Sequence, residues 1–598
     1  MALMHSLARK VLIKALSSAL FGLEVLSDLT PGLRMTGRRR LPRNMSAGIL
    51  GAEVATWAAI SPSLLPRPWW VTAANVSIGQ GIGHLGATAA AFSLKRFLRA
   101  VGKRPQDHVS ARYRRGAHLI LGAGTVIFAG LSLRNQRRQA ALVGRDLVRG
   151  PATAAVGLAV GTAGYGGLLL LGELTQVTIS SISRRLGSWI PAGIAWPLVA
   201  GGLALSSVAF SDRVVLRRWL RSVALDAQRI NRRIFPGTMM PWEPERSGSP
   251  WSHERWTALG QQGRRFVSNG PRAHTIKEVM GFDHAHEPIR IYAGLVPGRS
   301  VYQSAQRVIS EMERTGAFRR DIIVILMPAG SGWVNNWGVS GYEFLTRGNC
   351  VTVSMQYSYA PSVFSYVIDK NAPKLAARTL IAAIREAMES LPATDRPRLY
   401  LGGESLGAYA ILDNYRDLDE LLADCNGAVF TGPPSMTRFN QRLNRDRDPG
   451  SLERLPVIDG GRHVRFVSTP DHTLYDAFGT KYAHTWRRPR IIMAQHASDA
   501  IVWWNPKLIF SPPHWMREPQ PPTLHADTLR RLVWAPLITF WQIGLDQINS
   551  LNVPGGHGHN YFEETFWYWD AVLGSQSQVR LTQQLAARMT HYLRRTQF

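Results

Sequence analysis

The chain has 598 residues, 45% of them hydrophobic and 19% charged, with a formal net charge of +29; that length argues against one compact domain and for two or more folding units. The excess of positive charge points to a phosphate-rich counterpart, and without a nucleic-acid-binding motif or a basic stripe interleaved with aromatics that counterpart is a membrane surface and not a nucleic acid. Cys350 and Cys425 are the only cysteines, too few for a disulfide framework, a CxxC zinc site or an iron–sulfur cluster.

Residues 1–46 form a basic tail. The apolar stretch Val11 to Leu29 is broken by Lys14, Glu24 and Asp28 and lacks a small-residue cleavage signature, so an interfacial helix is expected there and not a signal peptide. Between residues 47 and 212 lie the apolar segments Ala47 to Pro66, Val71 to Phe92, Gly116 to Leu133, Ala152 to Leu171 and Trp189 to Phe210. By length these are about five membrane spans, an all-α polytopic domain in the cell (inner) membrane with the lipid bilayer as partner. Their glycines and alanines suit close packing in lipid, and the same sequences make poor helices in water. Lys95, Arg96, Arg99, Lys103 and Arg104 follow the second segment and favour the cytoplasmic side, but Arg134, Arg137, Arg138, Arg145 and Arg149 crowd the opposite loop, so the face carrying the rest of the chain stays open.

Residues 213–275 read as a connector, basic from Arg213 to Arg233 and then rich in proline and tryptophan. Over 276–598, short β-branched runs alternate with helical patterns, the signature of an α/β domain whose mostly parallel sheet is flanked by helices. Within it, the buried-strand pattern Arg398 to Gly402 runs into Gly403-Glu404-Ser405-Leu406-Gly407 and then into a helix-like Ala408 to Asn414. This is G-x-S-x-G between a strand and a helix, where the sharp turn exposes a serine and the small flanking residues permit close backbone approach. Ser405 is therefore the candidate nucleophile and Gly403, Glu404 and Gly407 its elbow. The strand Asp321 to Met327 ends in a glycine-rich loop, so Leu406 together with Ser331 or Gly332 is expected to supply oxyanion-binding N–H groups. The order strand, helix, strand, helix, strand, serine is that of the α/β-hydrolase fold.

Such a site needs an acid and then a histidine later in the chain. Asp499 follows the strong strand pattern Pro489 to Gln495 and is the first choice, with Asp471, after Val464 to Ser468, as the alternative. The glycine-rich segment Pro554 to Glu564 holds two histidines, of which His559 is chosen narrowly over His557 as general base. Two histidines at i and i+2 without a neighbouring carboxylate or cysteine cluster do not make a zinc site, so neither metal nor organic cofactor is expected.

The phrases Ser61-Pro62-Ser63-Leu64-Leu65-Pro66-Arg67, Gly263-Arg264-Arg265-Phe266-Val267, Gly332-Trp333-Val334, Gln495-His496-Ala497-Ser498-Asp499 and Gly556-His557-Gly558-His559-Asn560-Tyr561 extend the pattern beyond the elbow. With them the chain resembles, over nearly its whole length, the bacterial membrane-anchored α/β-hydrolases that pair an N-terminal multi-helix domain with a C-terminal catalytic domain. The resemblance implies Ser405, Asp499 and one of the paired histidines as catalytic residues. The function expected is a serine hydrolase cleaving an ester-like bond of a lipid or other acyl-bearing amphiphile through an acyl-enzyme. The rival from another class is a non-catalytic transporter or assembly factor that keeps the fold as a binding platform. One departure stands out: no convincing strand lies between Asp499 and His557. Nothing in the sequence specifies an oligomer.

Overall fold

The computed structural model describes residues 45–102, 111–145, 151–186, 217–521 and 527–596. The predicted interfacial helix in 1–44, the segment 189–210 and the start of the connector lie outside them. Contacts divide the chain into two units, one of Met1–Val215, Pro506–Met516 and Thr528–Asn549, the other of Leu216–Asn505, Arg517–Asp527 and Ser550–Phe598.

The first unit is helical: α1 (Met45–Ile60), α2 (Trp69–Ala100), α3 (Ala111–Leu142) and α4 (Pro151–Leu186). Two stretches, Gly116–Leu142 and Ala152–Gly172, are long and apolar enough to cross a membrane, and Ala47–Ile60 is apolar but shorter. The expected count of about five spans is therefore not reached among the described residues. The first predicted segment is cut short because Pro62 and Pro66 cannot continue a helix, so α1 stops at Ile60. The second coincides with α2, whose Asn75, Gln80 and His84 dilute its apolar character.

Glycine sets the spacing between these helices. A Cβ on Gly51 of α1 would sit 2.3 Å from the Gly83 carbonyl oxygen of α2, and one on Gly83 would sit 2.2 Å from that of Gly51. Only bare backbone permits that approach, the packing mode of small residues in lipid-facing helices. Gln80 Nε2 adds bonds to Thr56 Oγ1 (3.0 Å) and Thr162 Oγ1 (3.1 Å), tying α2 to both neighbours.

The Ser61-to-Arg67 phrase is the turn between α1 and α2, and it is organised around a carboxylate from far along the chain. Asp546, at the end of the helix Ile538–Asp546, accepts from Ser63 Oγ and from the Leu64 (3.1 Å) and Leu65 (3.4 Å) N–H groups. The segment 528–549, expected within the α/β domain, thus packs with the N-terminal helices. Hydrophobic periodicity says that such a segment is a helix; it does not say which unit the helix joins.

The second unit is built on a seven-stranded sheet: β1 (Ile289–Ala293), β2 (Ile322–Met327), β3 (Cys350–Met355), β4 (Arg398–Glu404), β5 (Gly427–Thr431), β6 (Val464–Val467) and β7 (Arg490–Ala494), in the spatial order β1-β3-β2-β4-β5-β7-β6. Every ladder is parallel. Parallel strands need crossovers that cover both faces, which is why β2 is an unbroken apolar run. Ile323, Ile325 and Met327 enter one core with the helices Val301–Arg314, Ala372–Glu389 and Leu406–Leu412. Ile322, Val324 and Leu326 enter the other with Asn336–Leu345, Glu564–Leu573 and Gln583–Thr596.

Among the described residues between Asp499 and His557 there is no strand in the sheet either. The edge place beside β7 is taken by β6, which precedes β7 in the chain. The predicted connector from Leu216 onward is part of this unit: Arg264 Nη2 bonds the Asn231, Arg232 and Arg233 carbonyls and so closes the end of the helix Arg217–Arg232. Arg290 of β1, wholly buried, donates to the Phe266 carbonyl and holds Glu343 in a bidentate pair at 2.7 Å on both arms. The Gly263-to-Val267 phrase is thus scaffolding for the sheet edge.

Candidate active site

Ser405 stands between the last residue of β4 and the first of the helix Leu406–Leu412, with φ 55° and ψ −119°. A non-glycine residue holds this strained conformation only when its surroundings over-determine it. Here the Ser405 N–H donates to the Thr431 carbonyl on β5 (2.9 Å), and its own carbonyl accepts from Tyr409 N–H (3.1 Å). Gly407 is forced by the crossing: a Cβ there would lie 2.1 Å from the Met327 carbonyl oxygen at the end of β2.

Asp499 follows β7 and caps the short helix Ala500–Trp503, one carboxylate oxygen accepting from Ile501 N–H (2.9 Å). Its other oxygen accepts from His559 Nδ1 and from the Tyr561 hydroxyl, each at 2.7 Å. Both Asp499 and His559 are buried. A carboxylate only accepts, so the Nδ1 proton is fixed on His559 and, in the neutral ring, Nε2 carries the lone pair. That Nε2 is buried and has no hydrogen-bond partner, so the link from Ser405 to the imidazole is open in this conformation. The two are nonetheless neighbours through the backbone: Ser405 N–H bonds Thr431, and a Cβ on the next residue, Gly432, would lie 2.3 Å from His559 Cε1. Burial lowers the His559 pKa, but the Asp499 carboxylate outweighs it and the net shift is upward.

The alternatives fall elsewhere. Asp471 is exposed on the turn after β6. His557 is part-exposed, with Nδ1 3.7 Å from an Asp527 oxygen. At the expected oxyanion site, Leu406 is the first residue of its helix, and Ser331 lies at the loop tip with its carbonyl accepting from Gln356 Nε2 (2.9 Å). Gly332 must be withdrawn as a donor: its N–H bonds the Ala329 carbonyl (2.8 Å), closing the loop on itself. A glycine-rich loop in the sequence shows that N–H groups are near, not which of them the turn consumes.

Glu404, flagged only as an elbow residue, is buried. It accepts from Asn335 Nδ2 (2.6 Å) on one oxygen, and the other has no partner. Burial pushes its carboxyl pKa up. Glu404 and Asn335 line a cavity of about 30 Å³ with Trp333, Gly403, Thr431 and Trp569, large enough for one water.

His496, part of the Gln495-to-Asp499 phrase, has no role assigned by its sequence context. Its Nδ1 donates to the Gly558 carbonyl and its Nε2 to Glu564, both at 2.8 Å. Both partners only accept, so both nitrogens carry protons and the buried ring is an imidazolium. Burial opposes that charge, but Glu564 leads the groups that raise its pKa to about 9. The ring stacks on Tyr561 at 4.1 Å, and the His496 N–H donates to the Tyr561 hydroxyl. Ser498 accepts from Gly558 N–H (2.7 Å) while bonding Asp527. The histidine loop is thus held by the segment that carries the acid, and the run of polar residues around Asp499 was the signal for it.

A parallel sheet with a strained serine at one strand end and a buried Asp–His pair beside it defines a hydrolase of the α/β class. The sequence profile described as the Alpha/beta-hydrolase family matches residues 289–589, and that described as the Alpha/beta-hydrolase family N-terminus matches residues 60–271. The chain belongs to this alpha/beta-hydrolase family. No curated protein and no solved structure shows significant similarity to it.

Proposed function

We propose that the chain is a membrane-associated serine hydrolase acting on an ester-like bond of a lipid or acyl-bearing amphiphile. The observation that carries the reading is the buried Asp499–His559 pair, whose Nε2 is left without a partner beside the strained Ser405 turn. Catalytic hydrogen bonds are often long before substrate binds, so an unmade bond between Ser405 and His559 in this conformation is compatible with the reading.

In the proposed cycle His559 Nε2 takes the Ser405 proton as Oγ attacks the carbonyl carbon, and the carbonyl electrons move onto oxygen, facing the Leu406 and Ser331 N–H groups. Collapse expels the alcohol, which receives the proton from His559. Water, deprotonated by the same nitrogen, then releases the acid and restores Ser405. Asp499 stays ionised throughout and fixes the ring.

Membrane association is read from the two apolar helices and the +29 net charge; anchoring lets an enzyme take an amphiphile without extracting it fully into water. Hydrolysis of p-nitrophenyl acyl esters of graded length tests the reading. Ser405→Ala should lower kcat by about 10⁶-fold. Equal turnover by both proteins would remove Ser405 from the reaction.

A further inference from the structure

The proposed chemistry requires the loop that carries Ser331 to hold still beside Ser405, and the sheet fixes only one end of it. The loop leaves β2 at Met327, whose partner across the ladder is Gly403 of β4. Part-way along, the Tyr292 hydroxyl donates to the Gly332 carbonyl (2.8 Å) and Gln356 Nε2 to that of Ser331 (2.9 Å). These anchors come from β1 and from the residue after β3, not from the strand that leads into Ser405.

The far end of the loop is held by Asn335, which has two tasks. Its Oδ1 accepts from the Trp337 (3.0 Å) and Gly338 (3.4 Å) N–H groups and so caps the helix Asn336–Leu345. Its Nδ2 donates to Glu404 Oε2 at 2.6 Å. The same oxygen accepts from Thr431 Oγ1 (3.4 Å), and the Thr431 carbonyl is the acceptor for Ser405 N–H. The tryptophans on either side of Asn335 in sequence, Trp333 and Trp337, face Phe562 with ring centroids 6.4 and 5.8 Å away, and Phe562 belongs to the segment that follows His559. One bond between side chains far apart in sequence therefore joins the elbow, the Ser331 loop and the histidine segment. Burying a carboxyl is costly, and a residue serving stability alone would do better apolar.

We propose that Glu404 is a positioning residue: through Asn335 it fixes the loop carrying Ser331 against the Ser405 turn, so that N–H groups from both meet the same oxyanion. This role rests on the proposed hydrolase chemistry and adds a residue to it. It is tested in the full-length chain with p-nitrophenyl acyl esters, with kcat read on the pH plateau, where His559 is neutral in every variant. Asn335→Asp keeps the capping oxygen but sets a carboxylate against Glu404. Since a displacement of about 1 Å can cost about 100-fold in rate, kcat should fall by about that factor with KM nearly unchanged. Adding Glu404→Gln to Asn335→Asp puts an amide donor opposite the new carboxylate and reverses the direction of the bond, and this double variant should regain about tenfold or more in kcat. Glu404→Gln alone keeps an oxygen for Asn335 Nδ2 and should lose no more than about threefold, whereas Glu404→Ala, which has none, should lose about as much as Asn335→Asp. Undiminished kcat in Asn335→Asp, a double variant no better than Asn335→Asp, or a loss in Glu404→Gln as large as in Glu404→Ala overturns the proposal, the last by assigning the carboxyl a role through its charge. A parent chain that turns over no ester would instead remove the hydrolase chemistry itself, and this role with it.

Discussion

At the scale of single residues, the account turns on which atoms carry protons. Asp499 fixes the Nδ1 proton of His559, so Asp499→Asn, which can present an N–H there instead, should lower kcat by about 10⁴-fold with little change in KM. His559 must be neutral to act as base, and its pKa is raised above the ordinary 6.5. The acid limb of the kcat/KM–pH profile should therefore lie above pH 6.5 and move down in Asp499→Asn, where the stabilising carboxylate is gone. A limb unmoved by that substitution would contradict the pairing. Ser405 was legible because its turn is local: strand, small residues and helix are contiguous in sequence. The place of Asp499 in a loop at a strand end was legible because the apolar strand pattern Pro489 to Gln495 stops just before it. The choice between His557 and His559 was close because both sit in one glycine-rich loop, and only three-dimensional proximity to Asp499 separates them. Gly332 was misread because its N–H is consumed by a turn that composition does not reveal.

At the scale of elements, the histidine loop is held by the His496–Glu564 pair and not by a strand. The folded-state pKa of His496 is raised to about 9, so the stabilisation is fully present below the unfolded value of about 6.5 and is lost as pH rises through about 9. His496→Ala leaves Glu564 part-buried without its cation and should cost about 3–5 kcal/mol, read by denaturant unfolding. The loss should be large at pH 6.5 and shrink towards pH 10; a pH-independent loss would reduce His496 to a packing role. Gly407→Ala pushes a methyl into the Met327 carbonyl and should cost about 1–3 kcal/mol by overpacking. The strands were legible because buried parallel strands are continuous apolar runs. The edge position of β6 and the His496–Tyr561–Asp499 network were not, because pairings more than sixty residues apart leave no periodicity to find.

At the scale of the whole molecule, the second unit begins at Leu216, whereas the sequence reads as a connector over 213–275 and an α/β domain from 276 onward. The return of Thr528–Asn549 to the first unit was hidden, since a helix bound through Asp546 and Gln542 carries no local mark of its partner. The apolar helices over Gly116–Leu142 and Ala152–Gly172 lead to the expectation that the chain stays with the membrane fraction after a high-salt wash, which screens surface charge but leaves burial in lipid intact. Release by salt would reduce the association to electrostatic adsorption. The central claim, that Ser405 is an activated nucleophile served by His559 and Asp499, is tested most directly by reacting the full-length protein with a fluorophosphonate and locating the adduct by peptide mass spectrometry. The account predicts one phosphonylated residue, Ser405, with labelling slowed by orders of magnitude in His559→Ala and absent in Ser405→Ala. An adduct at another residue, or labelling as fast without His559, would contradict it.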